Sequence, residues 1–193
     1  MSLEIKVYCK ELSDDLIPKI VERLNNYDMV VEVHPDFSFK DQTGFLPFKF
    51  RLTNPPLPIL KDKELKSGFE LYIEDFDIQT EINQLTRKPK LSGRIFGKKP
   101  EGISFANPEI DAHLRDCKKL LIFSWGSADS FEFRFAALTS AIITELTNGI
   151  CTYPADDIWF ANKTIIDNTC KDVKNYEQTL NKENIRFHLF DGW

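Results

Sequence analysis

Apolar and polar positions alternate from the start of the chain. Leu3, Ile5 and Val7 are separated by Glu4, Lys6 and Tyr8, the period of a half-buried strand. The period then lengthens: Leu16, Ile17, Ile20, Val21 and Leu24 recur at helical spacing. Pro18 falls in the first turn, where a missing amide hydrogen is tolerated, and Asn25-Asn26 follows, so a helix is expected over 14–26. Met29 to Val33 returns to strand character, and Phe37 and Phe39, bracketed by turn residues, read as a short edge strand or an ordered loop. Leu46, Phe48, Phe50 and Leu52 alternate with Phe45, Pro47, Lys49 and Arg51, and Pro47 predicts a sheet edge or a strand end. Phe69, Leu71 and Ile73 alternate with Glu70, Tyr72 and Glu74, a strand with an acidic outer face.

The second half is organised around the stretch from Leu120 to Phe160. Asn107-Pro108 opens a short helix that runs to Cys117 and delivers the chain into Leu120-Leu121-Ile122-Phe123, an apolar run that predicts a strand buried on both faces. Asp129 and Glu132 have the spacing of a capping box and Asn148-Gly149 supplies a left-handed stop, so a second main helix is expected over 130–147. At about 100° per residue, Phe131, Phe135, Leu138, Ile142 and Leu146 share its core stripe. Phe133 falls on the far side among Arg134, Ser140, Thr144 and Glu145, so either another part of the chain covers it or a partner does. Ile150 to Tyr153 and Ile158 to Phe160 complete a strand-helix-strand unit of crossover size, which predicts that the strands flanking the helix run parallel in one sheet. Asp167 to Leu180 reads as a further helix, and Ile185, Phe187 and Leu189 as a last strand. The pattern predicts one α+β domain over 1–193, with a mixed, mostly antiparallel sheet and two main helices packed on it.

Composition narrows the function classes. Hydrophobic residues make up 42% and charged residues 28% of the 193 positions, as in ordinary globular proteins, and 16 phenylalanines predict an aromatic core. A net charge of -5 argues against nucleic acid as a partner and fits a basic one. No apolar run is long enough to span a membrane, and the first residues lack the basic-then-apolar layout of a secretory signal, so no membrane association and a cytoplasmic location are expected. Cys9, Cys117, Cys151 and Cys170 are widely spaced and read as free thiols.

Motifs for chemistry are weak. His34, His113 and His188 lie far apart; Asp116 and Cys117 follow His113 at helical spacing, but the simpler reading of His113 is the edge of an apolar face, and no metal or cofactor site is expected. Ser124 lacks the glycine two residues before it that a nucleophile elbow needs. Charge is segregated instead. Glu70, Glu74, Asp75 and Asp77 form an acidic cluster, whereas Arg87, Lys88, Lys90, Arg94, Lys98 and Lys99 form a basic stretch expected to be a loop or hairpin around Ile95-Phe96.

Within Leu120 to Phe160, Ala136-Ala137, the turn Thr147-Asn148-Gly149, Tyr153-Pro154 and Trp159 together resemble a pattern of bacterial immunity-type proteins from polymorphic toxin and contact-dependent competition systems. This chain carries one glycine at the turn where many members carry two. The resemblance implies a non-enzymatic cytoplasmic protein that binds and blocks one toxin domain, and the acidic balance would steer it to a basic toxin. The candidate partner-binding residues are Glu70, Glu74, Asp75 and Asp77, followed by Phe133, Asp156 and Asp157. Two other readings stand beside it: a small enzyme that binds an anionic substrate through the 87–99 stretch, and a structural interaction subunit.

Overall fold

The alternating stretches form strands and the 3.6-period stretches form helices. The structure is a computed structural model that describes residues 3–41, 44–87, 104–161 and 165–193. In chain order the elements are β1 (Leu3–Cys9), α1 (Leu16–Leu24), β2 (Met29–Val33), β3 (Gly44–Leu52), β4 (Leu65–Asp75), α2 (Ile78–Arg87), α3 (Pro108–Leu114), β5 (Lys119–Trp125), α4 (Glu132–Thr147), β6 (Ile150–Tyr153), β7 (Ile158–Ala161), α5 (Ile165–Gln178) and β8 (His188–Leu189). Phe37 and Phe39 lie in a loop with their rings 5.0 Å apart and add no strand.

The eight strands form one sheet in the order β2-β3-β4-β5-β1-β6-β7, with β8 paired to β4. Every ladder among the described residues is antiparallel. The strands before and after α4 do run parallel in one sheet, but they are not neighbours: β1 lies between β5 and β6, antiparallel to both. The same alternation leaves β1 and β2 parallel with three strands between them. Both strand-helix-strand units are therefore crossovers that straddle antiparallel strands.

Pro47 sits in β3, which is an interior strand, yet the expectation of a strand end holds locally. Pairing with β2 stops at Phe48, so the proline has no β2 partner needing its amide. On its other side it faces Gly68, where a Cβ would lie 2.1 Å from the Leu46 carbonyl oxygen, so only glycine lets β3 and β4 close.

Period-two alternation divides the sheet into two faces. Ile5, Val7, Phe48, Phe50, Phe69, Leu71, Leu121, Phe123 and Cys151 point to one side, where α1, α4 and α5 cover them. Phe48 stacks on Phe135 at 4.7 Å and Phe50 meets Phe131 edge-on at 5.4 Å, so the phenylalanines knit sheet to helix. On the other side a smaller cluster of Tyr8, Phe76, Ile78, Ile110, Leu114, Cys117 and Ile150 packs beneath α2 and α3. Leu120 packs against this second cluster and Ile122 is only half-buried, so β5 is not covered equally on both faces.

The two helix ends of α4 differ from expectation in detail. Asp129 is not the reciprocal partner of Glu132: its Oδ1 accepts from the Phe131 amide at 2.6 Å and the Ser67 hydroxyl at 3.1 Å, while Glu132 accepts from the Gly126 amide at 2.7 Å. The Ser130 amide is already committed to the Arg186 carbonyl at 2.9 Å, which holds this segment outside the helix. At the other end Asn148 itself takes the left-handed conformation at φ 49°, and a Cβ on Gly149 would lie 2.5 Å from the Tyr8 carbonyl oxygen.

Candidate functional site

The strand ends at one edge of the helix-covered face leave a cavity of about 340 Å³ between β1, β5, the β6–β7 hairpin and α5. Its size is at the small end of ligand pockets, about 300–1,000 Å³. Four aromatic rings, Trp125, Phe133, Tyr153 and Phe160, contribute to its wall. Trp125 and Phe133 lie 5.6 Å apart, Phe133 meets Tyr176 edge-on at 5.8 Å, and Tyr153 meets Phe160 edge-on at 5.7 Å. Burial raises the Tyr153 phenol above its ordinary range, so this ring stays neutral at physiological pH.

Each wall residue is placed by a local rule. Trp125 is the last inward residue of β5, directly opposite Leu3 of β1. Phe133 comes from the first turn of α4, and Asn168, Asp172 and Asn175 line up on α5 at spacings of four and three. Asp156 is delivered by the β6–β7 turn, where its amide donates to the Tyr153 carbonyl at 3.1 Å and Asp157 takes a left-handed φ of 54°. The polar rim thus carries Asp156 and Asp172 with two carboxamides, and no lysine or arginine lines the pocket among the described residues.

Around it, the residues singled out in the sequence separate into groups. Glu70 and Glu74 flank Tyr72 on the outer face of β4. The register sets Glu70 opposite Ser124 and Ser124 opposite Glu4, so Glu70 and Glu4 stand roughly 10 Å apart across β5. Asp75 lies at the far end of β4, roughly 17 Å along the strand from Glu70, and is paired with Lys119 at 2.7 Å. That ammonium holds its carboxyl below the usual range. Asp77 lies beyond the strand and caps α2, accepting from the Thr80 hydroxyl at 2.7 Å and from the Gln79 and Thr80 amides. These bonds, the hydroxyl's first, lower its pKa. The four acids are therefore not one cluster. Arg87 ends α2, while Lys88, Lys90, Arg94, Lys98 and Lys99 lie outside the described residues.

No family model, curated protein or solved structure matches the chain. Burial pushes the Cys9 and Cys151 thiols up to about 12 and Cys117 to about 11, which leaves almost no thiolate at neutral pH. All four cysteines are free. His113 Nε2 is bonded to the Asn148 carbonyl at 3.0 Å and so ties α3 to the end of α4. Among the described residues no group of three or more His, Cys, Asp or Glu side chains is placed to hold a metal ion.

Phe133 and Asp156, which the sequence singles out separately, meet in this pocket. Trp125, Tyr153, Phe160, Asn168 and Asp172 were not singled out as site residues. The α5 trio does carry a signal, a polar stripe at helical spacing, but an amphipathic helix has the same stripe wherever it faces solvent.

Proposed function

We propose that the chain is a non-enzymatic cytoplasmic immunity protein that binds a cognate bacterial toxin domain and neutralises it by covering it. The observation that carries this reading is the pocket lined by Trp125, Phe133, Tyr153 and Phe160, with Asp156 and Asp172 at its rim. Such a surface combines an apolar seat with a single sign of charge. The first supplies binding energy when covered, and the second raises the encounter rate with a basic surface and disfavours an acidic one. The net charge of -5 acts in the same direction at longer range. Leu3 and Ile158, 44% and 43% exposed at the pocket mouth, add apolar area that a bound partner would remove from water. The resemblance of the α4–β7 segment to immunity-type proteins supports the same reading.

The test is genetic and direct. Co-expression of this chain with the product of a toxin gene adjacent to its own is expected to restore growth, and the two proteins are expected to co-purify. Failure to bind the product of any neighbouring gene would sink the proposal.

A further inference from the structure

We infer that the pocket seats one arginine side chain of the basic partner. This rests on the partner-binding reading above and adds the chemistry of the group that is held. Three features select it. The lining includes four aromatic rings, Trp125, Phe133, Tyr153 and Phe160, against which a guanidinium gains cation–π attraction. Asp156 and Asp172 at the rim supply carboxylates for its forked N–H donors. No cation among the described lining residues already neutralises them.

Other occupants fit less well. An aliphatic side chain would strip water from the two carboxylates without supplying a counter-charge, and an anion would face both like charges. A lysine ammonium is compact and strongly hydrated, so it loses more on entering an apolar seat than a guanidinium does. A free small cation would leave Leu3 and Ile158 exposed around it, at 44% and 43% respectively, whereas a protein that carries the arginine covers this collar.

N-acetyl-arginine methylamide is the probe, titrated into the full chain while the Trp125 indole N–H resonance is followed by NMR and assigned with Trp125→Phe. The expected result is a saturable shift, with the lysine analogue binding at least about tenfold more weakly and the neutral citrulline analogue not saturating. Asp156→Asn with Asp172→Asn, both at exposed positions, should weaken the arginine probe at least about tenfold while the spectrum retains its folded dispersion. A citrulline or leucine analogue that binds as well as the arginine one, or an arginine probe that gives no saturable shift, overturns the assignment. The two proposals fail separately: neutralisation without probe binding removes only the arginine, and probe binding without any toxin partner removes only the immunity function.

Discussion

Asp129 shows how much of a residue's role depends on what packs over it. It has the position of a helix cap in the sequence, yet it is 6% exposed, and its Oδ2 has no hydrogen-bond partner among the described residues. Burial, the largest influence, raises its pKa from 3.8 to about 6, and the bonds from Phe131 and Ser67 only partly oppose it. The folded state therefore binds more protons than the unfolded chain between these values. Its contribution to stability is fully present below about pH 4 and is lost as pH rises through about 6. Denaturant unfolding from pH 4 to 7 should show wild type losing on the order of 1–3 kcal/mol relative to Asp129→Asn over that window. A constant difference between the two proteins would contradict the shift. Spacing revealed that Asp129 belongs to a helix start, but not that Ser67 of β4 and the chain near Arg186 close over it, because both contacts span more than fifty residues.

At the scale of elements, helix and strand periods are readable in most elements that turn one face to water. α4 is the instructive exception. Its apparent polar side, Arg134, Ser140 and Thr144, is buried as fully as its apolar stripe. The two hydroxyls satisfy themselves on the helix, Ser140 donating to the Ala137 carbonyl at 2.9 Å and Thr144 to the Ser140 carbonyl at 2.7 Å. Arg134 is held by Glu177 of α5 through bonds of 2.6 and 2.8 Å and donates to the Tyr27 carbonyl at 2.6 Å. Removing either partner strands a buried charge. Arg134→Ala or Glu177→Ala should cost about 3–5 kcal/mol in denaturant unfolding, and the double change to Met and Leu should recover most of it. Additive losses in the double variant would contradict the pairing. α2 is obscured for the opposite reason: it has few apolar positions and follows directly on the acidic end of β4, so Asp77 reads as part of a charge cluster when it is a helix cap.

Across the whole molecule, the sequence pattern was enough for an α+β fold with a largely antiparallel sheet, because alternation and helical spacing are local. Strand order is not local. The insertion of β1 between β5 and β6 brings Leu3 and Glu4 beside Trp125 and the β6–β7 hairpin, and that placement creates the pocket. The same long-range geometry separates the acids: Asp75 pairs with Lys119, Asp77 caps α2, Glu70 and Glu4 share the outer face of the sheet, and Asp156 and Asp172 line the pocket on the helix-covered side. The central claim is that this surface binds a basic toxin domain. Its most direct test is calorimetric titration of the neighbouring toxin domain into wild type and into Asp156→Lys with Asp172→Lys, across a series of salt concentrations. Wild-type affinity should fall with salt, and the charge-reversed chain should bind at least about tenfold more weakly with a flatter salt dependence. An unchanged affinity and an unchanged salt slope in the variant would contradict the account.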